Sequence, residues 1–379
     1  MRLKATFCLE TKLWEFTCIN NSHNHTGTTT ASAHAVQRAI TTPIQNEIAR
    51  YADVGTKPRS ILAAIQHDDP SCNLILRDVY NSIANSRKTR LNQTNFGQVL
   101  IHHFEEHKED YLWHLTSDLE SHIEYFFLSR RSSIDIFKAH PDIVILDCTY
   151  KTNAYKIPLL NDVGVTGNNT TIQLAVVFLQ SENEEHLTWA MRLLRELFTS
   201  FEIPAPIAFF TDQEAALVNA IESIFPTVPT VPTVLCLWHV FKNVIKYAKK
   251  HGNNAADIEV FDTNSTGRKI NIRRHETPEF TEFIKTFTNC VQAPTEEVFE
   301  EWRADLHRQS SGIANYIDSQ YFDLWKHKIA ACCLIRITLF GIQTISRGEG
   351  SHNTMKSWLR TSKVDIYTFW SLMDKLWRQ

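Results

Sequence analysis

A chain of 379 residues with net charge -3, 43% apolar and 11% aromatic, is too apolar for a disordered protein and too long for one simple core. Two or three domains are expected. Any contact with nucleic acid has to come from local basic patches, because the chain as a whole offers no positive field, and this argues against sequence-blind coating of DNA.

Eight cysteines at irregular spacing, with no signal segment and no apolar run near about 18 residues, read as reduced thiols in a cytosolic or nuclear protein without a membrane span. Both ends read as trimmed, since the chain opens in mid-pattern and stops at Trp377-Arg378-Gln379 without a closing element.

Residues 1 to 30 hold two strand-like runs, Leu3 to Phe7 and Lys12 to Cys18, followed by Asn21-Ser22-His23-Asn24-His25. A hairpin leading into His-x-His is the back half of a small zinc module, with Cys8 or Cys18 as sulfur ligands beside His23 and His25. The competing reading is a terminal hairpin with surface histidines. Residues 40 to 92 switch to helical spacing, with Ile44, Ile48 and Tyr51, a break at Asp53-Val54-Gly55, then Pro58 opening a helix through Ile61, Leu62 and Ile65. A third helix, Leu74 to Ile83, runs into the basic tail Arg87, Lys88 and Arg90. Three short helices around a Gly turn suit a DNA-binding helix-turn-helix, and equally a plain helical spacer. Residues 93 to 140 read as a connector with some strand character around Ile123 to Leu128.

From 141 to 240 the pattern is that of strands. Ile143 to Leu146, Ile157 to Val165 and Ile172 to Leu179 form a meander turning at Gly167-Asn168-Asn169. A helix follows from Glu184 to Phe198, then a strand ending at Asp212, a helix from Glu214 to Ile224, and a strand Val234 to Leu237. The order β-β-β-α-β-α-β-α predicts an α/β fold with a mixed sheet. The triple Pro-Thr-Val run from Pro226 to Val234 reads as an extended loop before the last strand. Residues 241 to 345 are largely helical with a polar loop at Asn253 to Arg274, and 346 to 379 hold a helix beginning near Glu349.

Two apolar strands end in aspartate. Ile143-Val144-Ile145-Leu146 runs into Asp147, and Pro206 to Thr211 runs into Asp212. Carboxylates from separate strand ends, joined by one from a later helix, suit hard divalent cations, and Glu349 in Ser346-Arg347-Gly348-Glu349-Gly350-Ser351-His352-Asn353 is the third. Taken singly, such an aspartate also serves as a helix N-cap. Asp162, in mid-strand, reads as structural or edge-exposed. Glu182, Glu184 and Glu185 read as the solvated first turn of a helix. Cys236 and His239 form either half of a zinc site, without a visible second pair, or a buried thiol and a hydrogen-bonded histidine shaping the cleft.

Asp147-Cys148-Thr149-Tyr150-Lys151-Thr152-Asn153 with Pro158-Leu159-Leu160, Thr211-Asp212-Gln213-Glu214-Ala215-Ala216-Leu217, Cys236-Leu237-Trp238-His239 with Lys242-Asn243, and the Glu349 segment with Lys356 occur in this order. Together they resemble the Mutator-like element (MULE) transposases. The N-terminal part is similar to the WRKY-like zinc finger and helices that precede the core in such proteins and in the far-red-impaired-response regulators of plants. The resemblance implies an RNase H-like core with a large helical insertion ahead of the last carboxylate. It also implies a DDE triad of Asp147, Asp212 and Glu349 binding Mg²⁺ or Mn²⁺, and a structural or zinc role for Cys236 and His239. The triad spacings are 65 (212 − 147) and 137 (349 − 212) residues. The activity implied is cut-and-paste transposition in the nucleus, acting on terminal inverted repeats and target DNA as a homo-oligomer. The alternative is a domesticated DNA-binding regulator that keeps the fold without the chemistry.

Overall fold

The computed structural model describes residues 2–20, 27–90, 96–118, 123–225, 232–251, 277–342, 345–359 and 364–378. The chain divides into two compact units, Met1–Thr94 and Asn95–Gln379.

In the first unit, β1 (Arg2–Cys8) and β2 (Leu13–Asn20) form an antiparallel hairpin. Cys8 is opposite Leu13 and Cys18 opposite Leu3. The two thiols therefore stand at opposite ends of the ladder, about 17 Å apart at ~3.4 Å per residue, and one tetrahedral ion cannot take both. His23 and His25 lie outside the described residues. Helices α1 (Thr42–Asp53), α2 (Pro58–Asp68) and α3 (Leu76–Arg90) follow. Gly55, at φ +76°, makes the turn after α1, and Ile48, Ile61, Ile65, Leu74 and Val79 close a small core between the three helices.

The second unit opens with α4 (Phe96–Glu106), β3 (Tyr111–Ser117), β4 (Ile123–Arg130) and α5 (Arg131–Lys138). Next come β5 (Ile143–Thr149), β6 (Leu159–Val165), β7 (Thr171–Phe178), α6 (Glu184–Ser200), β8 (Ala208–Thr211), α7 (Ala215–Ile224) and β9 (Thr233–Leu235). The seven strands make one mixed sheet in the order β3-β4-β7-β6-β5-β8-β9. Neighbours are antiparallel from β3 through to β5, and β5-β8-β9 are parallel. The segment read as a connector thus supplies two strands and two helices. Its strand signal is weak because β3 buries only Tyr111 fully, whereas Phe126, Phe127 and Leu128 of β4 are completely enclosed.

Apolar runs form β5 and β8 because both faces of the sheet are covered there. Val144 and Leu146 pack with Leu187 and Leu194 of α6 and Leu217 and Ile221 of α7. Ile143 and Ile145, alternating to the other face, meet Phe210, Val234, Ile342 and Ile345.

The chain continues through α8 (Leu237–His251), α9 (Pro278–Val291), α10 (Glu296–Gln309), α11 (Ser311–Ile317), α12 (Asp323–Ile329) and α13 (Ala331–Leu334). These helices share a core of their own, including Val244, Phe283, Phe287, Phe299, Ile317 and Phe322, and the buried Lys328 binds Glu222 of α7. The polar stretch from Asn253 to Arg274 lies outside the described residues. In place of the single expected C-terminal helix there are two, α14 (Ser346–Leu359) and α15 (Ile366–Trp377). Phe369 and Trp370 of α15 seal the β3–β4 end of the sheet with Phe104 and Phe126.

Asp162 is not edge-exposed. It lies on an inner strand, fully buried, and neither carboxyl oxygen has a hydrogen-bond partner among the described residues. Burial raises its pKa well above the ordinary carboxylate value, so the folded state keeps a proton that the unfolded chain releases. The protonated side chain is fully compatible with the fold below the unfolded pKa of about 3.9, and stability is lost as pH climbs towards the folded value. Asp162→Asn is therefore expected to raise the thermal midpoint at pH 7.5 by several degrees, at about 2–4 °C per kcal/mol, and by much less at pH 4.5. An equal effect at both pH values in thermal unfolding contradicts this account.

Candidate metal centre

Asp147 is the fifth residue of β5, and strand alternation sends its side chain to the face of Ile143 and Ile145. Strand β8 runs parallel to β5 with Ile145 opposite Phe210. Two residues further along each chain, Asp147 and Asp212 come level on neighbouring strands. Helix α14 then crosses over β5 at Gly348, where an added Cβ would stand 3.3 Å from Ile145 Cγ2 and 3.4 Å from Asp147 Cβ. A side chain there would make a tight contact with Ile145, so glycine eases this close approach, which brings the next residue, Glu349, near enough for its charge to act on Asp147.

Electrostatics record the convergence. The Asp147 carboxyl is pushed up to about 8, first by burial, then by the charges of Asp212 and Glu349, with Lys356 opposing. Asp212 is raised by burial, against the opposing influence of His239. The site thus holds carboxylates whose mutual repulsion a cation would relieve. The ligand oxygens of the three do not all lie within 4.8 Å of one another. Among the described residues the one group of His, Cys, Asp and Glu side chains at that spacing is Glu296, Cys332 and Cys333, in the helical segment.

Around the acids, His239 Nε2 lies 3.5 Å from Glu349 Oε1, and Lys356 Nζ donates to Thr149 Oγ1 at 2.6 Å. His352 Nδ1 sits 3.2 Å from Asp147 Oδ2, the distance of an ion pair. Burial and Lys356 push this imidazole down to about 4, so at neutral pH it is uncharged and the contact is polar without being ionic. Cys236 is buried, and its sulfur accepts the Ile345 N–H at 3.3 Å, one residue before α14 begins. Cys236 and His239 therefore both serve α14, since the thiol holds the entry to that helix and the imidazole approaches its acid. No group of three close metal-binding side chains among the described residues includes either of them.

Asn153 lies outside the chemistry. Its Oδ1 accepts from the N–H groups of Tyr155 and Ile157, both at 3.1 Å, and closes the turn after β5. The sequence reading missed the roles of His352 and Lys356, although their spacing from Glu349, three and seven residues, marks one helical face. It also missed Glu182, whose charge acts on both Asp147 and Asp212. Its position just before α6 gave only the signal of a helix start.

The chain is thus a mixed α/β protein with a carboxylate cluster at the ends of two parallel strands. Residues 143–243 match the MULE transposase domain, a segment that begins with β5 and contains Asp147, Asp212, Cys236 and His239; Glu349 lies beyond it. Among curated proteins, the chain is similar to the PKS-NRPS hybrid synthetase cheA of Chaetomium globosum, at 21% identity over 94% of this chain and 8% of that protein. It is also similar to two proteins of Arabidopsis thaliana. Protein FAR1-RELATED SEQUENCE 5 is 22% identical over 60% of this chain and 29% of its own length. Protein FAR-RED IMPAIRED RESPONSE 1 is 23% identical over 48% and 22% respectively. The chain spans less than a third of the length of each of these relatives.

Gly348→Val should push α14 off β5, costing about 1–3 kcal/mol as an overpacked contact does. It should also lower the pH at which Asp147 titrates, because Glu349 and part of the burial move away. Thermal unfolding and carboxyl chemical shifts of the labelled protein check both; a variant with unchanged Asp147 titration contradicts the close-approach role of the glycine.

Proposed function

We propose that this chain carries the catalytic core of a Mutator-like DNA transposase, with Asp147, Asp212 and Glu349 as the acidic triad. The observation that carries the reading is that acids far apart in sequence come together at adjacent parallel strands, where the charges of Asp212 and Glu349 add to burial in raising Asp147 to about 8. The strand order β7-β6-β5-β8-β9, antiparallel up to β5 and parallel beyond it, supports an RNase H-like core, and the match to the MULE domain supports the reaction class.

The donor set fits Mg²⁺ or Mn²⁺, because it is made of charged oxygens with no sulfur among them. Bound there, the cations would activate a water or a 3′-hydroxyl and stabilise the leaving oxygen of a phosphodiester. The chain's own residues hold the triad in place. Gly348 lets Glu349 approach, Cys236 fixes the start of α14, and His352 packs against Asp147 without adding charge. Lys356 supplies a positive charge beside the acids and would help to hold a phosphate.

Residues 1 to 90 would contact the terminal inverted repeats, with α1 to α3 as the reading element and zinc in the preceding segment if His23 and His25 find sulfur partners. A nuclear location and homo-oligomeric assembly on DNA follow from the same reading. No described helix is long and apolar enough to cross a membrane.

A second reading is a DNA-binding regulator that has kept the fold and lost the reaction, and it draws on the similarity to Protein FAR-RED IMPAIRED RESPONSE 1 and its relatives. The two separate on nicking of a supercoiled plasmid carrying the sequences that flank the gene. A transposase nicks it only with Mg²⁺ or Mn²⁺. Asp147→Asn, Asp212→Asn and Glu349→Gln should each cut the rate by at least about 10²-fold, a loss of ~2.7 kcal/mol of transition-state stabilisation, while leaving plasmid binding in gel-shift assays unchanged. Binding without any nicking by the wild type supports the regulator.

A further inference from the structure

Cys332 and Cys333 are neighbours in α13, and a helical path ordinarily turns adjacent side chains to different sides. Here the two sulfurs come together, Sγ to Sγ at 3.9 Å. The Cys332 sulfur also stands 3.9 Å from Oε2 of Glu296, the first residue of α10. All three donor atoms lie within 4.8 Å of one another, and both thiols are free.

The carboxylate is held in this pose from its other side. Lys326 Nζ binds Glu296 Oε1, donates to Glu300 Oε1 at 2.9 Å, and sits 4.0 Å from the centre of the Phe299 ring. Oε1 is thereby taken, and Oε2 is left to the sulfurs. An acid in the first turn of a helix, paired with a lysine, is ordinarily a solvated group that serves the helix dipole. That reading accounts for Glu296 and Lys326, but not for two sulfurs turned onto the remaining oxygen. Hydrogen bonding explains the convergence no better, because a thiol is a weak donor and 3.9 Å is long for such a bond. The spacing does match a coordination polyhedron. With Zn–S near 2.3 Å and Zn–O near 2.1 Å, a tetrahedral ion sets its ligands about 3.8 Å apart for S···S and about 3.6 Å apart for S···O.

We infer that Glu296, Cys332 and Cys333 form a binding site for a thiophilic divalent cation such as Zn²⁺, with water in the fourth position and Lys326 as the positioning residue for the carboxylate. Two sulfur donors favour Zn²⁺ over Mg²⁺ and Mn²⁺. Glu296 and Cys333 are exposed and Cys332 is half-buried, so an ion enters without opening the fold. The site joins the start of α10 to α13, the last helix before the chain returns to α14. Its donors differ from those of the acid cluster at β5, and the inference does not rest on the transposase reading.

The test is Zn²⁺ binding to the full, reduced chain by competition with a chromophoric chelator, with Co²⁺ as a second probe through its thiolate charge-transfer absorption. Thermal unfolding in chelator checks that each variant folds. Cys332→Ser and Cys333→Ser should each lose one bound ion per chain and lower the cobalt band. Glu296→Gln should weaken binding and keep the band, since both sulfurs remain. Lys326→Met should weaken binding about tenfold, as loss of a residue supporting a ligand does. Glu297→Gln, exposed beside the site, should bind as the wild type does. In the wild type, Zn²⁺ should protect both Cys332 and Cys333 from alkylation, read by peptide mass spectrometry, and Mg²⁺ should protect neither. Equal alkylation of the two thiols with and without Zn²⁺, or wild-type ion number and cobalt band in the double variant Cys332→Ser/Cys333→Ser, overturns the assignment.

Discussion

The constraint on which the structure turns is the contact of Gly348 with β5. A helix lies this close to a strand most easily where it carries no side chain at the crossing, and the Cβ that glycine lacks would crowd Ile145. That one close approach brings an acid from near the end of the chain to two acids from its middle. The charges of Asp212 and Glu349 both act to raise Asp147, so the acids repel one another there.

Much of the apolar packing is placed where it resists that repulsion. Strand β5 is enclosed on one face by α6 and α7 and on the other by Phe210, Val234, Ile342 and Ile345, so Asp147 cannot turn to solvent. The buried thiol of Cys236 holds the backbone at Ile345, just where the chain returns from the helical insertion to begin α14. The insertion itself is a body with its own core, tied to α7 by Lys328 and Glu222. The long gap in sequence between Asp212 and Glu349 therefore costs little order at the site, since both ends of the insertion are anchored beside it. Acid side chains kept in mutual repulsion are a standing cost to the fold, as expected of a site shaped for a charged ligand.

The central sheet was legible because its strands are near-continuous apolar runs ending in polar residues, a pattern that only a doubly covered strand shows. The boundaries of β5 through β9 fall within a few residues of those read from the pattern. Of the β3–β4 hairpin only β4 showed, as strand character around Ile123 to Leu128; β3 was not legible, because its alternation is diluted by half-exposed residues. Asp147, Asp212 and Glu349 were singled out as acids at strand ends and near a helix start, and in the fold the charges of Asp212 and Glu349 both act on Asp147. Of the two readings of Asp162, the structural one stands and the edge-exposed one falls, because periodicity cannot tell an inner strand from an edge strand. Cys236 and His239 were noticed as a pair, but their separate duties, one to a backbone N–H and one towards an acid, belong to the tertiary arrangement.

The most direct measurement is anomalous diffraction from crystals of the full chain soaked in Mn²⁺. The account predicts two peaks about 3.5–4 Å apart between the ends of β5 and β8 and the first turn of α14, with Asp147 in contact with both ions. No peak at those strand ends, or manganese bound only at some other cluster, contradicts it.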